Sequence, residues 1–546
     1  MFCYKCQQDS YTRLCNVEGI CAKDPACVAV EEFFFQGLKS LSLYANKISE
    51  YTTVPSSFFD VIIYVLFSSI QNIQIDKQEI IKILEQLEFT REELRLRYKE
   101  LLKQRGFQFE ILESSASWQP DYNINEMIKQ GERAISLRHR VYDYSESCLH
   151  DLLVMALRGI IKSVVQAKFL GIENQKINNF FYKTLFDLSK DLKKEDLVKM
   201  IAECGKINLI AMGDLEKGLE ARYGAYENVK VKTSAVKGNS ILVSGRDIRD
   251  LENILMYTQA KKINIYTHGE MLLAHSLPEL RKFPNLVGHY GGVSPDQQIE
   301  IESFPGPVLI TSNCAWNPPQ VFRGRIFTTG LPIWMGVQQI IDNDFSPLVN
   351  AALDTEGFPE DAEENLIDVG FDLVKFNENM NKIKEGMQKN LIKKVFILVG
   401  CSNPHMKMDY INEFIENIPE DSILIKFSGL YYKDIGDVGQ INGVPRILDF
   451  GLYNDLFFVL KFFQNGGKLV NESFAADKLA MVFFLRDQHA VSILLSILTM
   501  DSKTHGAKID TCVPSMLSPV IFKALEENFN IKKIKTAKED IEEFMS

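Results

Sequence analysis

The grammar of this chain changes once, near Tyr223, and that change constrains the fold more than any single residue. From residue 28 to about residue 222, apolar residues recur at helical spacing in VEEFFFQGLKSLSLYANKI, DKQEIIKILEQLEFTREELRLRYKELLKQRG and INEMIKQGERAISL, with glycine, proline or polar breaks between them. FFQGLKSLSLYA, around Gly37–Ala45, is echoed by LVMALRGIIKSVVQA, around Ala156–Ala167. Two related helical bundles produce such an echo, and so does the general grammar of amphipathic helices. After Tyr223, short β-rich runs appear: SILVS (240–244), INIY (263–266), PVLIT (307–311) and RIFTT (325–329). Each is followed by a loop and often by a helical stretch, which predicts α/β domains with mostly parallel sheets. The charged helical patch LVKFNENMNKIKEGMQKNLIKK separates this block from a second one. That block begins at VFILVG (395–400) and runs through SILIKF (422–427) to a helical C-terminus. The expected class is a multidomain α + α/β protein. Its parts are 1–223, a cysteine loop and helical bundles; 224–375, a first α/β domain; and 376–546, a second.

The first residues, MFCYKCQQDSYTRLCNVEGIC, place Cys3, Cys6, Cys15 and Cys21 in a C-x2-C-x8-C-x5-C array. Four thiolates from one short loop can wrap a cubane iron–sulfur cluster, one sulfur to each iron. Four cysteines also suit tetrahedral Zn2+, although two CxxC knuckles are usual there and only the first pair has that spacing. Disulfides are disfavoured because no secretory signal precedes the array. Five of the ten cysteines fall within the first 27 residues, so the remainder of the chain is not stapled, and a reducing, cytoplasmic location is expected. A net charge of −11 argues against a nucleic-acid partner and is compatible with a basic redox partner. The most apolar run, SSFFDVIIYVLFSSI, is short and carries Asp60. It reads as a buried helix rather than a membrane span.

In open α/β sheets, ligands gather at the loops after the carboxyl ends of strands. Here those loops read THGEMLLAH (267–275), SNCAWNPP (312–319) and Cys401-Ser402-Asn403-Pro404. Glu270, Cys314 and Cys401 thus stand at three strand ends from which one buried metal site could form, although isolated cysteines after strands are usually packing residues. Cys27 reads as a buried cysteine at a helix start, and Cys148, Cys204 and Cys512 as core residues. His268 and His275 flank Glu270 and read as supports for it. VSGRDIRD and HYGGVSP lack the dinucleotide fingerprint and no Walker-type loop occurs, so no bound nucleotide is expected.

MFCYKCxQ followed by Cys15 and Cys21 resembles the start of the hybrid cluster protein family, the prismane or hydroxylamine reductase proteins, which are distantly similar to nickel carbon monoxide dehydrogenases. YGG (290–292), FPGP (304–307), RIFTTG (325–330), PRILDFG (445–451) and LSPVI running into NFNIKKI resemble family segments in the same order, so the likeness covers essentially the whole chain. The resemblance implies two N-terminal helical bundles followed by two Rossmann-like α/β domains. It implies a [4Fe-4S] relay cluster on Cys3, Cys6, Cys15 and Cys21, and a second iron–sulfur–oxygen cluster deep in the protein. THGEMLPAH supplies a glutamate ligand in that family, matched by Glu270. TTNC supplies a cysteine, matched by Cys314, and LVGxC the persulfide cysteine, matched by Cys401.

The remaining ligands depart from the pattern. Arg246 in VSGRDI stands where the family has histidine, Ser428 and Tyr453 stand where it has cysteines, and Asp487 and His489 in RDQHAV stand where it has glutamate and lysine. Arginine has no lone pair to offer iron, and hydroxyl oxygens are poor substitutes for thiolates. The ordinary hybrid cluster is therefore not expected to assemble. Either the pocket is empty, with Arg246 paired to Glu270 or Asp487, or it holds a smaller mononuclear or dinuclear centre on Glu270, Cys314, Cys401, Asp487 and His489. A Cys401 thiolate beside Arg246 would be nucleophilic and redox-active, and His489 could move protons. Two functions follow. One is a hydroxylamine or nitric oxide reductase-like oxidoreductase, served by a small iron–sulfur or flavin reductase, with its ancestral activity reduced or lost. The other is a non-catalytic relative acting as electron carrier, sensor or partner subunit.

Overall fold

The protein is described from a computed structural model covering residues 23–70, 77–109, 118–141, 143–291, 297–311, 318–330, 334, 336–370, 373–400, 408–428, 438–449, 478–485, 488–500, 507–511 and 518–546. It divides into two compact units. The first comprises Met1–Leu215 with Val491–Ser496 and Pro514–Ile521; the second comprises Glu216–Ala490, Ile497–Val513 and Phe522–Ser546.

The first unit is helical: α1 (Pro25–Ser49), α2 (Asp60–Ile70), α3 (Lys77–Gln104), α4 (Ile124–Val141), α5 (Tyr144–Phe169) and α6 (Gln175–Asp187), with most of α7 (Lys194–Tyr223). Asp24 starts α1 by accepting the Cys27 backbone N–H at 2.7 Å, with Pro25 in the first turn, where a missing N–H costs nothing. α1 packs on α2, α3, α4 and α6, and its Phe33, Phe34, Phe35, Leu38 and Leu41 are all buried. A helix covered on several sides in this way is a core helix rather than a surface one. α5, the echo segment, packs on α2 and α4 and is buried along most of its length. The apolar run at 56–70 becomes a 3-10 turn, Ser56–Phe59, and α2. Val61, Ile62, Val65 and Leu66 face inward, while Asp60 is exposed and ion-paired to Lys168. No described helix is long and apolar enough to cross a membrane.

Among the described residues the second unit carries two six-stranded parallel sheets. The strands are β1 (Val229–Lys232), β2 (Ser240–Ser244), β3 (Asn264–His268), β4 (Leu286–His289), β5 (Val308–Ile310), β6 (Ile326–Thr328), β7 (Gln338–Gln339), β8 (Leu366–Val369), β9 (Lys394–Gly400), β10 (Ser422–Ser428), β11 (Gln440–Ile441), β12 (Val444–Pro445), β13 (Ile447–Asp449), β14 (Leu479–Leu485), β15 (Ala507–Thr511) and β16 (Ile531–Lys533). The first sheet runs β4-β3-β2-β5-β6-β7 and the second β13-β10-β9-β14-β15-β16. Apart from the small pairs β1–β8 and β11–β12, each block shows the doubly wound order, in which the chain starts mid-sheet, works to one edge and returns to build the other. The switch points lie between β2 and β5 and between β9 and β14. Strands buried on both faces explain why KVFILVG and LAMVFFL read as continuous apolar runs rather than alternating ones.

Gly400 ends β9 with φ near +132°, and a Cβ there would stand 2.3 Å from the Phe484 carbonyl oxygen on β14. The glycine of LVG is thus required by the approach of the two switch strands. At the far side of this sheet, the helix Ala537–Met545 is fixed by a capping box of Thr536 and Glu539 and by buried Asp540. Asp540 lies 3.3 Å from Lys508 on β15 and accepts the Tyr410 hydroxyl at 2.9 Å.

Candidate functional site

At a switch point the neighbouring connections leave the sheet on opposite faces, so the loops after β2 and β5 open a crevice at its carboxyl edge. Thr311, which follows β5, closes the floor of that crevice. Its hydroxyl accepts the backbone N–H groups of Arg246 (3.1 Å) and Asp247 (3.2 Å) and donates to the Ser244 carbonyl (3.2 Å). Asp247 then starts the helix Ile248–Thr258 (α8), its carboxylate accepting the N–H groups of Arg249 (3.0 Å) and Asp250 (3.3 Å).

β3 lies beside β2 with Ser244 in register with His268, and a 3-10 turn, Gly269–Ser276, carries Glu270 off its end. Glu270 meets Arg246 there in a two-pronged ion pair, Nη2 on Oε1 and Nε on Oε2. The side chains are 9% and 10% exposed, so the pair is largely withdrawn from water. This is the first of the two Arg246 pairings anticipated from the sequence. A fork-on-carboxylate contact in a dry site is the strong form of ion pair, and parting it strands a buried charge.

THGEMLLAH was expected to be a loop in full. Instead β3 continues through Thr267 and His268, because the sheet interior satisfies both polar side chains. Thr267 Oγ1 lies 2.9 Å from His275 Nε2 and 2.9 Å from His289 Nδ1; His268 Nδ1 lies 2.9 Å from Ser244 Oγ and its Nε2 3.3 Å from Glu300. His268 and His275 are thus both buried, His268 against Ser244 and Glu300 and His275 against Thr267. His289, Glu300 and Thr311 were not anticipated. The one signal for His289 was its place in HYGG. Gly291 of that motif has φ +76°, and a Cβ there would lie 2.6 Å from Glu300 Oε2 and 3.0 Å from His268.

Buried groups here couple stability to pH with opposite signs, His275 and His289 in one direction and Asp250 in the other. Burial pushes His275 down to about 4, and burial, then His275 and His268, hold His289 well below the usual imidazole range. Burial, and then the neighbouring Asp247, push Asp250 up to about 7. Below the unfolded value of about 6.5, the unfolded chain binds a proton that folded His275 refuses, so stability falls as pH drops toward 4. Asp250 keeps a proton that the unfolded carboxyl has lost, so its contribution is present below about 3.8 and disappears as pH rises to about 7. Each effect is on the order of 3 to 4 kcal/mol, and they offset between pH 4 and 6.5. Relative to wild type, Asp250→Asn is therefore expected to make thermal stability fall more steeply on acidification and His275→Gln less steeply, with His289 acting in the same direction in both. Parallel midpoint-against-pH profiles for wild type and both variants would contradict the assignment.

In the second sheet, Gly400, Ser428 and Phe484 are in register at the carboxyl edges of β9, β10 and β14. Cys401 is the next residue after Gly400 in the chain, and Asp487 follows β14 by two residues. Cys3, Cys6, Cys15, Cys21, Cys314, Cys401, Tyr453, Asp487 and Cys512 lie outside the described residues, and Ser428 is described by its backbone alone. His489 is the second residue of the helix Gln488–Thr499 and is buried. Cys148 and Cys204 are core residues, as expected, and burial pushes the Cys204 thiol up. Cys27 is only half-buried rather than buried, because the first turn of α1 leaves it beside Glu31, with the sulfur 4.0 Å from the carboxylate.

A helical unit joined to two doubly wound sheets, with polar residues gathered at the strand ends, defines a class of protein, and comparison with known families gives its membership. The chain matches the Prismane/CO dehydrogenase family over residues 1–542 and belongs to that family. It is 33% identical over 551 residues to the hydroxylamine reductase of Thermodesulfovibrio yellowstonii, covering all of both chains. It is 31% identical over 545 residues to that of Methanocella arvoryzae, covering 99% of each. A nickel-free crystal structure of carbon monoxide dehydrogenase from Thermococcus sp. AM4 superposes with a TM-score of 0.50 at 13% identity. The match covers 97% of this chain and 86% of that one, and it supports the fold assignment alone.

Proposed function

We propose that the chain is an iron–sulfur oxidoreductase of the hybrid cluster type whose inner site has been altered. In this reading the ancestral reduction of hydroxylamine or nitric oxide is reduced or lost, while the N-terminal relay is retained. One observation carries it: the Glu270 carboxylate, which the resemblance makes a metal ligand, is held by Arg246 at the position of a lost histidine. Arginine stays protonated and can only donate, so these residues do not fit the family's larger cluster, and no step is drawn through it. Cys3, Cys6, Cys15 and Cys21 are a complete donor set for a [4Fe-4S] centre, which would supply one-electron transfer. Cys314, Cys401, Asp487 and His489 remain candidates for a smaller inner centre. Ser244, His268 and Glu300 form a hydrogen-bonded row beginning at the carboxyl ends of β2 and β3. The similarity to hydroxylamine reductases favours a small nitrogen-oxide substrate, with electrons from a small iron–sulfur or flavin reductase.

Iron and acid-labile sulfide analysis of anaerobically purified protein tests this reading, together with a hydroxylamine assay driven by a chemical reductant. About four irons per chain and little or no turnover are expected; about eight irons with ready turnover would refute it.

A further inference from the structure

Helix α6, which packs on α1 and on the Ser56–Phe59 turn, turns a polar stripe into the helical unit. Asn174, Asn178 and Tyr182 recur every four residues, which sets them on one side of the helix. Asn174, at the N-cap, is fully used: its side-chain oxygen accepts the Lys176 N–H at 3.1 Å, and its amide nitrogen donates to Asp214 at 2.6 Å. The other two are not. Asn178 is 4% exposed, and its side-chain amide makes no hydrogen bond to any described residue. Tyr182 is fully buried, and its hydroxyl is likewise without a partner among the described residues.

Two unpaired polar groups one helical turn apart are destabilising in a protein interior, and such groups ordinarily mark a bound molecule. There is room for one. A cleft of about 20 Å3 lies where α6 meets the Ser56–Phe59 turn, α2, the end of α5 and α7. Phe59, Ile63 and Val164 give it apolar walls, while Asn174, Asn178 and Asp214 give it a polar one. Helical side chains lean toward the N-terminus, so the Tyr182 ring lies back over the turn that carries Asn178. Its edge-on contact with Phe59, with ring centroids 5.9 Å apart, keeps it beside the same space. Lys168 and Glu173, ion-paired at 2.8 Å and partly exposed, stand at the rim. One water needs about 10 to 15 Å3 measured in this way, so the cleft takes an occupant of about one or two heavy atoms. An amide and a phenol each offer both a donor and an acceptor, and an ion satisfies only half of that set.

We propose that the α6 cleft binds a small neutral molecule that both donates and accepts hydrogen bonds, held by Asn178 and Tyr182. Water and hydroxylamine share this chemistry. With hydroxylamine the cleft is a holding site for substrate in the helical unit, and that source rests on the nitrogen-oxide reading above; the site itself does not depend on it.

The test uses the full chain purified anaerobically: wild type, Asn178→Leu and Tyr182→Phe. Removing an unpaired buried polar group relieves a penalty, whereas removing one that holds a bound molecule loses a hydrogen bond, so the sign of the change decides. Amide hydrogen exchange across residues 175–187 is expected to become about fivefold faster in each variant. If Asn178→Leu does not fold, Tyr182→Phe, which only deletes the hydroxyl, decides. Hydroxylamine is then titrated into both proteins. At about ten times its dissociation constant it should slow exchange of the same amides about tenfold in wild type and leave Asn178→Leu unmoved, which assigns the site to hydroxylamine. Faster exchange in the variants with no response to hydroxylamine supports the site with water as its occupant. Exchange that is unchanged or slower in Tyr182→Phe overturns the proposal. The iron and sulfide contents that test the oxidoreductase reading do not depend on these side chains, so the two readings fail separately.

Discussion

Restoring Arg246→His, Ser428→Cys and Tyr453→Cys together is expected to raise the iron content from about four to about eight per chain and to produce hydroxylamine turnover absent from the unmodified protein. Two of the three positions, Arg246 and Ser428, fall at the carboxyl ends of strands. Arg246 follows β2, Ser428 is the last residue of β10, and Tyr453 lies four residues beyond the end of β13. Arg246→His alone releases Glu270 and supplies one imidazole, but it leaves the inner site two thiolates short. Because sulfur ligands hold iron–sulfur centres, the gain should be cooperative, with single variants near baseline and the triple variant well above it. Turnover in the unmodified protein equal to that of the triple variant would show that the substituted residues do not limit the chemistry.

The second large effect is on stability. Glu270→Ala leaves the Arg246 guanidinium in a site from which water is largely excluded, and removing one partner of such a pair typically costs about 3 to 5 kcal/mol. Replacing both partners with apolar residues of similar volume, Arg246→Met with Glu270→Leu, should recover most of that loss, because desolvation of two charges is avoided. A chain built as two compact units need not unfold in one step, so a global midpoint is a blunt readout. Hydrogen exchange of the β2 and β3 amides is the sharper one. Protection should fall in Glu270→Ala and return in the double variant, giving a large coupling in the double-mutant cycle. Additive effects of the two substitutions would mean that Arg246 is not committed to Glu270, leaving the carboxylate available to a metal.

Much of the architecture was legible because it is local. The alternation of short apolar runs with polar loops marked β2, β5, β6, β9 and β10 to within a residue or two, since a strand buried on both faces has little choice but Val, Ile, Leu and Phe. Helical periodicity likewise marked α1, α3 and α5. Reading failed where polar residues are satisfied inside the sheet: Thr267 and His268 look like loop residues until His275, His289, Ser244 and Glu300 are brought to them. Cys27 looked like core because a cysteine at a helix start usually is.

The sequence by itself determined the class of fold, the family motifs, the four-cysteine array and the chemical fact that arginine cannot serve as a metal ligand. Only the tertiary structure decided that Arg246 closes on Glu270, that His268, His275 and His289 are buried around Ser244 and Thr267, and that Arg138 is buried against Glu32. The reason is distance along the chain. Periodicity records which face of an element is apolar, whereas the partner of a buried charge depends on which strands and helices pack side by side, and parallel pairing and bundle packing join residues that no local pattern connects.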